Sequence, residues 1–139
     1  MISTAIVDSG PLIAVANRAD PDHEACLAAL ENPEYRLVIP ALCVAEAAHL
    51  LQRQAGSRVE ARFVRGLGDF DVRAPTRDDW SRIADLVEDY ANLTLGTTDA
   101  SVVALAERLG TDLVITLDRR HFTVVRPLHR PRLRVLPGG

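Results

Sequence analysis

Two short apolar runs in this chain stop on a carboxylate: Ala5-Ile6-Val7 runs into Asp8, and Leu113-Val114-Ile115-Thr116-Leu117 runs into Asp118. β-branched and aliphatic segments of this length fit buried strands, and Asp is depleted in strand interiors, so each acid marks a strand end. Between them, stretches with helical spacing alternate with further short apolar runs. Strands that alternate with helices pack as a parallel sheet covered on both faces, because each crossover helix lays its apolar stripe on the sheet. The expected fold is therefore α/β, a three-layer α/β/α sandwich around a central, mostly parallel sheet of four to five strands. In open parallel sheets ligands bind outside the strand C-termini, which is where Asp8 and Asp118 would stand.

The expected strands are 2–7, 36–39, 70–73, 113–116 and a fifth at 133–136. Pro11 suits the first turn of a short helix over 11–17, and Asp20-Pro21 begins another that stops near Asn32-Pro33. A helix over 40–55 is closed by Gly56, and one over 57–67 follows. Thr76 caps a helix reaching Tyr90, with acids in its first turn. Thr97 or Thr98 opens a last one that ends at Gly110. No repeat, linker or low-complexity stretch divides the chain, so one domain over 1–139 is expected.

Composition narrows the function. No apolar run is long enough to span a bilayer and no basic segment precedes a signal-like core, so a cytoplasmic protein with no membrane association is expected. Cys26 and Cys43 sit in apolar helical contexts without paired spacing and read as buried, reduced thiols. The net charge of -3 conceals an asymmetry. Residues 1–118 hold all nineteen acids against ten arginines, a net of -9, whereas 119–139 hold six arginines and no acid. An acidic body with a basic tail fits a polyanionic partner that also meets a metal-loaded site. It fits equally an edge strand, with Arg132 and Arg134 turned out and Leu133 and Val135 turned in.

Four acids stand out by context. Asp8 precedes Ser9-Gly10-Pro11 and, taken alone, reads as a helix cap. Glu46 lies within PALCVAEAAHLL, a helix apolar nearly all round, sharing a face with Leu42, Cys43 and Leu50; an ionised Glu there is costly unless compensated. Asp99 falls in the first turn of its helix, where an acid complements the dipole, and Asp118 could cap a turn. The set carries more weight than its members. If the first and fourth strands are neighbours, Asp8 and Asp118 share one rim, and Asp99 and Glu46 reach it from helices. Each close carboxylate pair costs about 4 kcal/mol at an effective dielectric of roughly 20, so the group calls for cations. All-oxygen ligation suits Mg²⁺ or Mn²⁺, one or two ions, and the chemistry these support is phosphodiester hydrolysis.

In the order "IVDSGPLIA", "PALCVAEAAHLL", "GTTDASVVALAERLG" and "VITLDRRHF", the chain resembles the PIN-domain family, and in particular the VapC-type toxins of bacterial toxin–antitoxin pairs. The resemblance spans essentially the whole chain. It implies a Mg²⁺- or Mn²⁺-dependent endoribonuclease, homodimeric, held in check by a small antitoxin protein. Carried over, it makes Asp8, Glu46, Asp99 and Asp118 the catalytic metal ligands, with Thr116 and Ser9 as auxiliary hydroxyls. Arg119 and Arg120, beside Asp118, are candidates to grip RNA phosphates.

Two other classes compete. An aspartyl-nucleophile phosphatase or phosphotransfer domain is compatible with Asp8, but such sites want a second Asp two residues on, where this chain has Gly10, or a Lys, which it lacks. A non-catalytic RNA- or partner-binding module is the third; the presence of all four acids argues against it. His23, His49, His121 and His129 are scattered without metal spacing, and Trp80 and Phe63 read as core residues.

Overall fold

Ser3–Val7 (β1) lies at the centre of a five-stranded sheet, with Tyr35–Pro40 (β2) on one side and Leu113–Ile115 (β4) on the other. Asp71–Arg73 (β3) flanks β2, and Arg134–Leu136 (β5) flanks β4, giving the order β3-β2-β1-β4-β5 with every neighbouring pair parallel. This is a computed structural model that describes residues 1–137; the expected domain extends two residues further. Seven α-helices cover the sheet among the described residues: Ser9–Ala16 (α1), His23–Leu30 (α2), Ala41–Ala55 (α3), Ser57–Gly66 (α4), Arg77–Asp89 (α5), Thr97–Leu109 (α6) and Arg119–Phe122 (α7).

The three-layer α/β/α arrangement expected from the alternation is present. Ala5, Ile6 and Val7 are fully buried in succession, and so are Val114 and Ile115, because helices close both faces of the inner strands. Val7, Leu37 and Ile39 face α1, α2 and α4, while α6 packs on β1, β2 and β4 with α5 outside it. Of α6, residues Ala100 to Ala106 are all buried, so this helix is sandwiched rather than amphipathic.

Most helix boundaries follow from local chemistry. Gly56 (φ 88°) ends α3 and Gly110 (φ 70°) ends α6, both in positive-φ conformations that a side chain would strain. Thr76 and Asp79 form a reciprocal capping box at the start of α5: the Thr76 hydroxyl accepts the Asp79 N–H, and the Asp79 carboxylate accepts the Thr76 N–H. The expected start at Asp20-Pro21 is displaced to His23, because the Asp20 side chain accepts the Asp22 N–H and makes a turn of its own. α1 starts at Ser9 instead of 11, and α7 had no counterpart in the sequence reading.

Trp80 corrects a further expectation: it is 48% exposed on α5 and is not core, since the buried stripe of that helix runs through Asp79, Ile83 and Leu86. Phe63 is partly buried against the core, as expected. Cys26 and Cys43 are buried free thiols. The fifth strand is shorter than the basic tail: Arg134 points outward to Asp112 while Leu133 is buried, but residues 123–133 form no strand. No helix among the described residues is long and apolar enough to cross a membrane.

Phe122, among the largest fully buried side chains, anchors α7 in the core. Phe122→Ala should cost about 3–5 kcal/mol of stability, the range for emptying a buried aromatic site; urea unfolding at constant m-value measures it.

Candidate functional site

From β1 the chain moves outward through β2 to β3, then returns to the other flank at β4 and β5. The strand order reverses between β1 and β4, which makes their C-terminal ends the switch-point crevice of the sheet. The two acids that terminate the opening runs meet there. The Asp8 N–H donates to the Ile115 carbonyl at 2.9 Å. The Thr116 hydroxyl donates to Asp8 Oδ2 at 2.7 Å and accepts the Asp118 N–H at 2.9 Å, so one side chain joins both strand ends.

Asp8 occupies the N-cap position of α1 with extended backbone, yet its side chain caps nothing. The cap reading favoured for Asp8 in isolation is thereby corrected: the carboxylate turns inward, where Thr116 and, weakly at 3.7 Å, the Cys43 thiol serve it. Burial pushes the Asp8 carboxyl above the usual carboxylate range, against the opposing Thr116 hydrogen bond, and Glu46 adds to the rise. The same burial, with the Asp8 and Glu46 charges behind it, pushes the Cys43 thiol far up, so it remains protonated.

Glu46 reaches the site from α3, held by the Ser9 hydroxyl, which donates to Oε2 at 2.6 Å. Glu46 is not the buried charge that its apolar context suggests. The buried stripe of α3 consists of Cys43, Ala47 and Leu51, and Glu46 itself is exposed on the rim, so its presence is not forced by a costly buried charge. Asp99 stands in the first turn of α6 and accepts the Gly96 N–H at 3.3 Å. Its carboxyl is pushed up to about 6, first by burial and then by the Asp8 charge, with Asp118 contributing in the same direction.

Asp118 caps α7: Oδ1 accepts the His121 N–H at 3.0 Å, and Oδ2 contacts His121 Nδ1. His121 Nε2 reaches the Leu93 carbonyl at 2.7 Å. Both partners of the ring are acceptors, an arrangement that favours the doubly protonated ring. Its pKa is raised, chiefly by Asp118 and then by the Leu93 carbonyl. Carboxylate oxygens of Asp99 and Asp118 and a ring nitrogen of His121 lie within 4.8 Å of one another, though the ring would have to give up a proton to serve as a ligand. Sequence reasoning dismissed His121 because it looked for spacing among histidines. The available signal was Asp-x-x-His across a single helical turn beginning at a strand end.

Arg119 and Arg120 are exposed on α7, and neither makes an ion pair among the described residues. Away from the rim, an apolar cleft of about 300 Å³ opens between α1, α4 and β2, with Phe63 inside it and Arg18 and Arg62 at its edge. The rim itself is an assembly of oxygen donors, and two of its carboxyl groups, Asp8 and Asp99, are held above their ordinary pKa by burial and by neighbouring acids. Such donors fit a hard divalent cation, which removes both penalties at once.

Residues 5–126 match the PIN domain family, and the chain belongs to that family. Within it, the chain is 32% identical over 134 residues to Ribonuclease VapC26 of Mycobacterium tuberculosis, covering 95% of this chain and 99% of that protein. Solved structures with the same fold include VapC20 of Mycobacterium tuberculosis, described as a sarcin-ricin loop cleaving toxin. It has a TM-score of 0.74 at 20% identity, over 88% of this chain and 99% of that one. A toxin-antitoxin complex from Klebsiella pneumoniae matches with a TM-score of 0.68 at 21% identity, over 94% and 99% of the two chains. VapBC2 of Rickettsia felis, bound to a DNA fragment from its promoter, matches at 0.69 with 11% identity, over 96% and 97%.

A raised carboxyl pKa means that between about 3.8 and about 6 the folded state holds an Asp99 proton that the unfolded chain has released. In that window Asp99 makes ion-free protein less stable as pH rises. Melting temperatures in EDTA across that window should therefore fall more steeply with pH in the wild type than in Asp99→Asn. Equal slopes would contradict the assigned shift.

Proposed function

We propose that this protein is a divalent-metal-dependent endoribonuclease, hydrolysing RNA phosphodiester bonds as the toxin of a VapBC-type pair. The observation that supports the reading most is the electrostatic coupling of four acids around the β1–β4 switch point: Glu46 raises Asp8, and Asp8 and Asp118 raise Asp99, in addition to burial. Family membership and the ribonuclease relative support the same chemistry.

Asp8, Asp99 and Asp118, with Glu46 on the outer side, would hold Mg²⁺ or Mn²⁺. A bound ion there supplies charge neutralisation at the scissile phosphate and a lowered pKa for water. The protein's own groups do the rest. Thr116 fixes the Asp8 carboxylate and the Asp118 backbone in register, so the acids are preorganised before substrate arrives. Ser9 orients Glu46. His121 bridges Asp118 to the loop ahead of α6 and so sets that carboxylate relative to Asp99. Arg119 and Arg120, one and two residues beyond Asp118, would grip phosphates flanking the cleaved bond.

The partners of this reading are an RNA substrate, a cognate small antitoxin and a second copy of the chain in a cytoplasmic homodimer. The apolar cleft beside α4, edged by Arg18 and Arg62, supports a protein partner that docks an apolar segment.

Asp8→Asn and Asp99→Asn should each lower RNA cleavage by at least about 100-fold, on the order of 3 kcal/mol of transition-state stabilisation, while leaving the fold intact. EDTA should remove wild-type cleavage and Mn²⁺ should restore it. RNA-end sequencing after brief induction checks the outcome in cells, and undiminished cutting by Asp8→Asn would overturn the reading.

A further inference from the structure

The basic tail admits two readings, an edge strand or a polyanion surface, and only Arg134–Leu136 forms the strand. Of the tail's arginines only Arg134 belongs to β5, where its guanidinium pairs with Asp112 at 2.9 Å. Residues 123–133 instead form an irregular arm that leaves the rim at α7 and runs along the α5–α6 flank. Three hydrogen bonds pin it. The Arg126 N–H donates to the Tyr90 hydroxyl at 2.9 Å, the Leu128 N–H donates to Glu107 at 2.8 Å, and His129 Nε2 donates to the Thr111 carbonyl at 2.7 Å. Buried Val125 and Leu133 fix the arm at each end.

The anchors tie the arm to the C-terminal end of α5, at Tyr90, and to the C-terminal end of α6, at Glu107 and Thr111. From Arg126 to Arg132 the arm reaches at most about 20 Å. Along that path Arg126, Arg130 and Arg132 are exposed, and none makes an ion pair among the described residues. Glu107 is engaged by both arms of the Arg82 guanidinium, Asp79 by Arg108 and Asp112 by Arg134, while Asp78, Asp85, Glu88 and Asp89 of α5 are exposed and make no ion pair among the described residues. None of these acids pairs with Arg126, Arg130 or Arg132, and the arm is held in place by its backbone and His129 without using its arginine charges.

We propose that Arg126, Arg130 and Arg132 form a phosphate track that binds the single-stranded RNA flanking the cleavage site, continuing from Arg119 and Arg120 along the α6 flank. This rests on the ribonuclease reading for the identity of the polyanion. The track begins at Asp118 itself, so a strand seated in the site is led onto it. Arginines on irregular backbone, with no Phe, Tyr or Trp among them and His129 tied to the Thr111 carbonyl, bind phosphate charge without reading bases, so the track selects for substrate length over sequence.

The test compares wild type with Arg126→Ser/Arg130→Ser/Arg132→Ser and with the corresponding triple Lys variant, all in an Asp8→Asn background that keeps RNA intact. Binding of a labelled single-stranded RNA of roughly 20 nucleotides, and of one of roughly 4, is followed by anisotropy over a salt series. The triple Ser variant should bind the long RNA at least ~10-fold more weakly, with the log–log salt slope reduced by about 2, the value for three lost phosphate contacts. The triple Lys variant should keep most of the affinity, since the contact is one of charge. An unchanged melting temperature certifies the fold. Unchanged long-RNA affinity and salt slope would overturn the proposal, and so would an equal loss for both RNA lengths. A variant that keeps RNA but loses a poly-glutamate peptide would also overturn it, assigning the arm to an acidic protein. Because binding is read without cleavage, failure of the nuclease reading would show separately, in the activity of the Asp8 variant.

Discussion

One threonine hydroxyl organises the functional end of this molecule. Thr116 donates to the Asp8 carboxylate and accepts the Asp118 backbone N–H, and it can do so only because β1 and β4 are parallel neighbours ending at the same level. The rest of the rim is built outward from that bridge. Asp99 arrives because α6 must start at the rim in order to cross back beneath β4. Glu46 arrives because α3 follows β2 directly, and Ser9 on α1 catches it.

The cost of the arrangement is electrostatic. Burial and repulsion raise Asp8 and Asp99 together, and the basic side chain set beside them is the His121 ring, bound to Asp118. A single basic side chain on the outer edge does not offset the inner acids, which is why a divalent ion fits the vacancy in the charge balance so directly. The same logic extends along the surface. The body pairs Asp79 and Glu107 with its own arginines, and of the segment beyond Asp118 only Arg134 pairs with an acid, Asp112, among the described residues. Under the proposed function, the acidic rim would hold the cation and the exposed arginines beyond Asp118 would meet the polyanion.

Much of this was legible in the sequence because it is written in short-range chemistry. Apolar runs ending on Asp gave the strands and their rim, Gly56 and Gly110 gave the helix ends, and Thr76 gave its capping box. What escaped depended on three-dimensional exposure. Glu46 sits in an apolar stretch but faces out, because helix rotation, not local hydropathy, decides which stripe is buried. Trp80 is apolar yet exposed for the same reason. Asp8 holds a cap position without capping, since a partner 108 residues away outcompetes the local N–H groups. His121 was overlooked because its role depends on the Leu93 carbonyl, which no spacing rule connects to it.

The central claim is that the carboxylates at the β1–β4 switch point form a divalent-cation site. Anomalous diffraction from crystals soaked in Mn²⁺ tests it most directly. The account predicts a strong peak among Asp8, Asp99 and Asp118; a map with no manganese signal at those side chains, in crystals where they are accessible to solvent, would contradict it.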